Sequence, residues 1–460
     1  MKITLDYKDT DGVVKFVTAK KWAKMPETKR LGEGTTFFTL FDNTVVLDKG
    51  NKTEDDYRTL GFKLVGYLDS LADKTFTISA PPVHLGPFIE GLVLGNYDYQ
   101  YYKSKPKKSS VKMIAINNYL SADVDTKTAQ AIVDKAIARA KAQCLTRDMV
   151  NGSPDDMNSE TILAKIRGTF GHNSNVKVSW FSEGDLQYRG MQGHLAVNRA
   201  SRHPAMTIKL EYEPDNWKKH IVLVGKGLTY DSGGLDIKTS GHMQTMKTDK
   251  GGAMTVFGIM KGLDEIGSKH KVTAYLGMAE NMIDGSAYKA DDVLTMKNGT
   301  TVHVKNTDAE GRIVLFDNLC LAEEENPDLD EIYTFATLTG AAVFQFGDEA
   351  CGMVGFNDKL KKKVKKVGDV EGEVFCNAEF HKFMMDGVKD SVADISNTGT
   401  NNQGCQKAGL FLTYALTKKG KKKYLHLDIA GPAYVSKAFG TNKTGATGFG
   451  VRTFLNYLSR

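Results

Sequence analysis

Asn306-Thr-Asp-Ala-Glu-Gly-Arg312 sets Asp308 and Glu310 on either side of one alanine and follows them with an arginine. Residues 301–305 before it alternate as a short strand, and residues 312–324 after it carry apolar side chains at helical spacing. Two carboxylates and a guanidinium therefore stand between a strand and a helix. In open α/β sheets that is where ligands bind, beyond the carboxyl ends of the strands. No ordinary core needs such a set.

Upstream lies a second cluster of the same character. Gly225-Lys226-Gly227-Leu228-Thr229-Tyr230-Asp231-Ser232-Gly233-Gly234 is followed by Lys238 and Asp249. Short strands are expected at 220–224, 271–278, 301–305, 331–336 and 424–429. Helices are expected from near Asp249 to 263 and at 312–324. Strands alternating with helices imply a mostly parallel sheet covered by helices. Lys226 and Asp231 then follow one strand, Asp308 and Glu310 a second, and Thr337-Leu-Thr-Gly340 a third.

Residues 126–150 are Ala-rich, with apolar side chains at helical spacing, and the chain changes character at Asn151-Gly-Ser-Pro154. The expected organisation is α/β throughout. A small N-terminal α/β domain spans 1–148, its last helix (about 126–148) acting as linker, and a larger C-terminal domain spans 149–460. Residues 1–7, 13–18, 35–40 and 74–79 read as strands. The basic run at 103–110 reads as an exposed turn, and the lysine clusters at 359–366 and 418–423 as solvated faces.

The chain has 460 residues, 41% apolar and 25% charged, the balance of a globular protein. Its net charge of +6 is small for that length and does not indicate nucleic-acid binding. Five scattered cysteines form no Cys-x-x-Cys pair, which speaks against a disulfide scaffold or thiolate zinc site and for a reducing, cytoplasmic setting. The N-terminus lacks the apolar run of a signal peptide, and no segment has the apolar length to span a bilayer.

Asp231, Asp249, Asp308 and Glu310 are hard oxygen donors with no histidine or cysteine among them. Such donors suit Mg, Mn and, in paired sites, Zn or Co. Four carboxylates roughly neutralise two dications, so the charge balance favours a pair of ions over one. Paired ions lower the pKa of bound water to about 7 and so provide hydroxide at neutral pH. Lys238 can then stabilise a developing oxyanion as a fixed positive charge, and Arg312 can hold a small anion. Singly, each piece has a plainer reading: Asp308 as a helix N-terminal acid, Asp231-Ser-Gly-Gly as a turn, Lys226-Gly as loop punctuation. Their combination on strand ends makes those readings improbable. The phosphate-loop pattern is absent, Ser232 lacks the glycines of a nucleophile elbow, and no His-Glu-x-x-His occurs. His426, in an alternating run, reads as a core histidine.

These residues resemble those of the leucyl aminopeptidase family of dinuclear metallopeptidases. The resemblance rests on the Asn306–Arg312 heptapeptide, on the order Lys226, Asp231, Lys238, Asp249, and on Ala336-Thr-Leu-Thr-Gly-Ala341, His426-Leu-Asp428 and Gly445-Ala-Thr-Gly448. It covers about 151–460, and the closing Gly-Ala-Thr-Gly-Phe-Gly-Val-Arg452 looks most like the bacterial peptidase B branch. The N-terminal part carries no comparable motif. The resemblance implies a metal-dependent aminopeptidase that removes N-terminal residues from peptides, with two divalent ions per subunit: Zn²⁺ or Mn²⁺, with Mg²⁺ or Co²⁺ as alternatives. Asp231 and Glu310 would bridge both ions, Asp308 would complete the exchangeable site, and Lys226 and Asp249 the tighter one. Lys226 can ligate only as the neutral amine. Lys238 would polarise the scissile carbonyl, and Arg312 would hold a bicarbonate. Met246, Thr337 and Gly340 would line the pocket for the first side chain, Leu338 would offer backbone contacts, and Asn306 would also face substrate. A cytoplasmic homohexamer with no membrane attachment is implied as well.

Two positions depart from the family pattern: Asp236 stands where a small serine is usual, and Lys250 where an apolar residue is usual. A dinuclear phosphoesterase would suit the same donors. DNA binding has only the lysine clusters for support and is not the expectation.

Overall fold

The computed structural model describes the chain apart from residues 6–9, 19–23, 26–36, 41–42, 49–52, 72–73, 80–83, 108, 118–124 and 400–401. It divides into two compact units. One comprises Met1–Cys144 with Phe439–Thr441, the other Leu145–Ala438 with Asn442–Arg460.

The first unit is an α/β layer. Strands β1 (Lys2–Leu5), β2 (Gly12–Thr18), β3 (Phe37–Leu40), β4 (Asn43–Asp48), β5 (Thr75–Ser79) and β6 (Met113–Asn117) form one sheet in the order β1-β6-β5-β2-β4-β3. All its pairs are parallel except β3 with β4. Of the expected strands at 1–7 and 35–40, residues 6, 7, 35 and 36 lie outside the described residues. Helix α1 (Glu54–Leu68) begins at a capping box in which Thr53 and Asp56 exchange hydrogen bonds, which satisfies N–H groups a helix leaves orphaned. It packs on α2 (Leu85–Asn96). Leu64, Phe88, Ile114 and Val133 belong to the core beneath. Arg58 is fully buried there, and its charge is met by Glu90 at 2.8 Å and Asp55 at 2.9 Å. Helix α3 (Thr126–Asn151) spans the expected linker.

The second unit is built on an eight-stranded sheet. Its strands are β7 (Val176–Phe181), β8 (Met206–Tyr212), β9 (His220–Asp231), β10 (Lys271–Asn281), β13 (Glu331–Ala336), β14 (Ala350–Val354), β15 (Val374–Asn377) and β17 (Tyr424–Asp428), in the order β15-β14-β17-β13-β9-β10-β8-β7. The four central strands, β17-β13-β9-β10, run parallel, and antiparallel pairs occur only towards the edges. Helices α4 (Gly251–Ile266) and α5 (Gly311–Glu325) both contact β9 and β10. His426 lies buried in β17, its Nδ1 2.8 Å from Thr334 Oγ1, as expected of a core histidine.

Two sequence expectations need correction. The strand expected at 220–224 runs on to Asp231, so Lys226 lies inside β9 rather than after it. Gly225 and Gly227 do not break it, because the ladder is continued by neighbours: Gly225 pairs with Leu276 and Phe335, and Lys226 with Gly277. Glycine is needed here for close approach. A Cβ on Gly225 would fall 2.5 Å from Ala253 Cα, and one on Gly252 2.0 Å from the Phe335 carbonyl oxygen. The strand expected at 301–305 shortens to β12 (Thr301–His303) and leaves the main sheet. It joins β11 (Val293–Thr295) and β16 (Ile395–Ser396) in a separate three-stranded sheet. Only two of the three site-bearing strand ends therefore belong to the central sheet. Among the described residues no helix is long and apolar enough to cross a membrane, and all five cysteines are free.

Candidate metal centre

Beyond the carboxyl ends of β9 and β13 opens a cavity of about 700 Å³. Every site residue expected from the sequence lines it. β9 contributes Lys226 and Asp231, and the loop after β9 contributes Lys238. A 3₁₀ turn, Met246–Lys250, brings Met246 and Asp249. The loop after β12 supplies Asn306, Asp308 and Glu310, with Arg312 in the first turn of α5. Thr337 and Leu338 follow β13, and Gly340 opens helix α6 (Gly340–Phe346).

One carboxylate oxygen from each of Asp231, Asp308 and Glu310 lies within 4.8 Å of the others. Asp249 joins this group through Lys226, whose ammonium sits 2.7 Å from Asp249 Oδ2 and 2.9 Å from Glu310 Oε1. It also donates to the Thr337 carbonyl at 3.1 Å. Lys238 is placed in the same way, 2.9 Å from Asp231 Oδ2 and hydrogen-bonded to Asp308. Each ammonium thus lies between two carboxylates.

Asp231, Asp249, Glu310 and Lys226 are buried, and only Asp308 is partly open, its side chain one-third exposed (33%). Four acids against two lysines leave negative charge unbalanced, and the ionisation reflects it. Burial, with Asp231 adding to it, pushes Glu310 up to about 8 against the pull of Lys226. Burial also raises Asp308 and Asp249. Burial works against the charged form of Lys226, but Asp249, Glu310 and Asp231 outweigh it and hold the ammonium well above its usual range. Lys238 is likewise raised against burial, by Asp231 and Glu310. A compact, over-acidic, oxygen-rich set of this kind fits hard divalent cations, which would replace the protons and ammonium groups now balancing it.

Arg312 is buried. Its Nη1 donates to the Asn397 carbonyl at 2.7 Å, while Nε has no hydrogen-bond partner among the described residues. Leu338 N–H donates to Asp428 Oδ1 at 3.2 Å, so any contact it offers a peptide comes from its carbonyl. Asn306 Oδ1 accepts from Asp308 N–H at 2.6 Å, which makes it a brace for that loop as well as a wall of the cavity.

Several supporting residues were not legible in the sequence. Asn281, at the end of β10, donates 2.9 Å to Asp231 Oδ1 and 3.1 Å to the Thr307 carbonyl. Tyr288 donates to that same carbonyl at 2.5 Å, and Asn397 Nδ2 to the Asn306 carbonyl at 2.6 Å. Asp236 clasps the two motif loops together: its Oδ2 accepts from Thr307 N–H at 2.7 Å, and its own N–H donates to Thr307 Oγ1 at 2.8 Å. Lys250 is fully buried and donates to the Lys247 carbonyl at 2.5 Å. Burial, with Lys247 nearby, lowers it to about 7.

Comparison with known proteins points the same way. The profile of the cytosol aminopeptidase family, catalytic domain, matches residues 144–455. A probable cytosol aminopeptidase of Wolinella succinogenes is 36% identical over 435 residues, covering 93% of this chain and 89% of the relative. One from Campylobacter jejuni is 40% identical over 373 residues, covering 80% and 77%. The match of 435 residues reaches well into the first unit, beyond the span over which motifs were legible. Among solved structures, the bottromycin maturation enzyme BotP in complex with Mn superposes with a TM-score of 0.87 at 29% identity, covering 98% of this chain and all of BotP. A tomato leucine aminopeptidase mutant shares the fold, with a TM-score of 0.86 at 24% identity over 100% of this chain and 96% of its own.

Proposed function

The chain belongs to the cytosol aminopeptidase family and is a hydrolase of the leucyl aminopeptidase type, and from that premise we propose that it removes N-terminal residues from peptides with the help of two divalent cations. The observation that carries this reading is the meeting of Asp231, Asp249, Asp308 and Glu310 around two lysines in one cavity. Asp231 and Glu310 would be shared by both ions, Lys226 and Asp249 would complete one site, and Asp308 the other. The partial exposure of Asp308, beside its buried partners, supports its belonging to the more exchangeable site. Zn²⁺ or Mn²⁺ is the expected occupant; BotP is described in complex with Mn. When bound, such cations act as Lewis acids and bring water within reach of ionisation near neutral pH.

The chain's own groups do the rest. Lys226 would serve as a ligand as the neutral amine and Glu310 as the carboxylate, each releasing its proton to solvent when metal binds. Lys238 keeps its charge and meets the oxyanion that develops on the scissile carbonyl. Arg312, whose Nε has no hydrogen-bond partner among the described residues, would hold a small oxyanion such as bicarbonate, which would supply a general base there. Met246, Thr337 and Gly340 receive the first side chain, while the Leu338 carbonyl and Asn306 orient the peptide. We further read the chain as a 1–148 unit followed by a catalytic 149–460 unit, acting in the cytoplasm as a homohexamer. The test is release of amino acids from short peptides by the purified protein supplied with Mn²⁺ or Zn²⁺, alongside elemental analysis of metal per chain. Glu310→Ala should abolish release. Hydrolysis of an aryl phosphate without peptide hydrolysis would replace this reading with a phosphoesterase.

A further inference from the structure

The central parallel strands have a second end, away from the carboxylates. There a cavity of about 370 Å³ is lined by Lys219, His270, Glu331, Lys363, Lys366 and Arg460. Lys219 stands immediately before β9, and His270 immediately before β10. They therefore lie at the starts of strands whose far ends carry Asp231 and Asn281. Lys363 and Lys366 come from the lysine-rich helix Asp358–Glu371, and Arg460 follows the last helix, Val451–Leu458.

Four cationic side chains converge there against one carboxylate, and that carboxylate is already engaged. Glu331 accepts from Lys219 Nζ at 2.6 Å, Tyr457 OH at 2.7 Å and Tyr333 OH at 2.9 Å. Lys363 Nζ stands off at 3.8 Å, while Lys366 and Arg460 have no acidic partner among the described residues. Other lysines of the same helix are neutralised locally: Lys361 by Asp358 at 3.2 Å, Lys365 by Asp369 at 3.0 Å. Lys363 and Lys366, by contrast, turn to the cavity without a close acidic partner of their own among the described residues. His270 is buried (9% exposed), and its Nδ1 has no hydrogen-bond partner among the described residues. That nitrogen is itself enclosed, so the ring meets the cavity through its remaining edge.

We propose that this cavity binds a small phosphate-bearing anion. Lys219, Lys363, Lys366 and Arg460 supply the compensating charge, and the His270 ring forms part of the polar wall. Four cations against one carboxylate leave a net positive charge that a phosphate dianion offsets in large part. The volume exceeds what inorganic phosphate fills and lies within the range of about 300–1,000 Å³ typical of small-molecule sites, so a phosphomonoester of a small organic molecule is the class expected. A concave wall holding a buried imidazole favours a small anion over a polymer.

The test is calorimetric titration of the metal-loaded full chain with inorganic phosphate and with phenyl phosphate at constant ionic strength. Wild type is compared with Lys363→Glu/Lys366→Glu and with His270→Phe. The two lysines are exposed on a helix, so their double variant should fold and keep its peptidase rate. Saturable one-to-one binding is expected in wild type, weakened about tenfold or more in the double variant and several-fold in His270→Phe. Tighter binding of phenyl phosphate than of inorganic phosphate would mark the phosphomonoester as the intended class. Phosphate bound equally by all three proteins and competing with peptide would belong to the metal centre and overturn the proposal. Non-saturating uptake, or binding of a DNA oligonucleotide without a phosphate site, would overturn it too.

Discussion

Gly311 lies directly against the side chain of Lys226: a Cβ placed on Gly311 would stand 2.2 Å from Lys226 Cε and 2.5 Å from its Nζ. The first residue of α5 thus walls in the lysine stem, and the ammonium is left with Asp249, Glu310 and the Thr337 carbonyl as partners. The glycine of the signature heptapeptide is there for space.

Gly311→Ala should therefore damage the site rather than help the helix. Alanine normally gains about 1 kcal/mol over glycine in a helix interior. Here overpacking should cost about 1–3 kcal/mol and displace Lys226. Metal affinity is expected to fall on the order of 10–100-fold, the range seen when the support of a metal ligand is disturbed. Metal content per chain and the thermal midpoint together check this. Wild-type metal content with a raised midpoint would show that Gly311 does not constrain Lys226.

The stability of the metal-free protein should fall between about pH 6.5 and 7 and level off above that. Glu310 is pushed up to about 8 in the folded chain and Asp317 to about 7, both chiefly by burial, so the folded state holds protons that the unfolded chain has already lost. Stability then declines as pH rises through that window. Burial lowers His194 to about 4 and His426 to about 3. These have the opposite sign, but they act only below the unfolded histidine value of about 6.5. Lys250, lowered to about 7 by burial, also has the opposite sign and offsets the acids above pH 7. Metal loading requires the protons to leave, so metal affinity should climb over the same range. Thermal midpoints from pH 6.5 to 8, with and without Mn²⁺, measure both slopes. Glu310→Gln should turn the metal-free slope above pH 7 upward, because Lys250 is then unopposed, and an unchanged slope would remove Glu310 from the account.

Asp236 should matter although it is not among the expected metal ligands. It holds the backbone of Thr307, the residue before Asp308, while Thr307 Oγ1 donates to the Gly233 carbonyl at 2.7 Å. Asp236→Ala should loosen the Asp308 loop and lower metal affinity or kcat by about tenfold or more. Asp236→Ser, the residue usual in the family, should recover part of the loss through its hydroxyl. Equal activity in all three would reduce Asp236 to a surface substitution.

The site was more legible than the scaffold that aims it, and the reason is chemical. Carboxylates, lysines and an arginine in fixed order declare hard-ion chemistry whatever their surroundings. Asn281, Tyr288 and Asn397 act through single hydrogen bonds to backbone or carboxylate, and nothing in their local sequence separates them from ordinary turn and strand residues. The central strands were visible as apolar runs. The extent of β9 was not, because Gly225-Lys226-Gly227 carries the local signature of a loop, and only pairing with β10 throughout, and with β13 at Gly225, keeps it extended. The departure of β12 into a separate sheet was hidden for a similar reason: a three-residue strand does not announce its partner.

Gly340 offers a test of side-chain selection that leaves the cations untouched. It opens α6 at the cavity wall, and a Cβ there would meet no atom within 4 Å. A larger residue can therefore be introduced without strain, and it would project into empty space. If that space receives the first side chain of the peptide, Gly340→Leu should exclude bulky residues while sparing small ones. Loss of one or more methylenes of room in an apolar pocket changes discrimination by about 10–200-fold. The ratio of kcat/KM for leucyl over alanyl peptides should fall by that order, with metal content unchanged. A uniform loss on both substrates would place Gly340 outside the pocket, since blocking general access penalises every peptide alike, whereas a filled pocket penalises only those that need it.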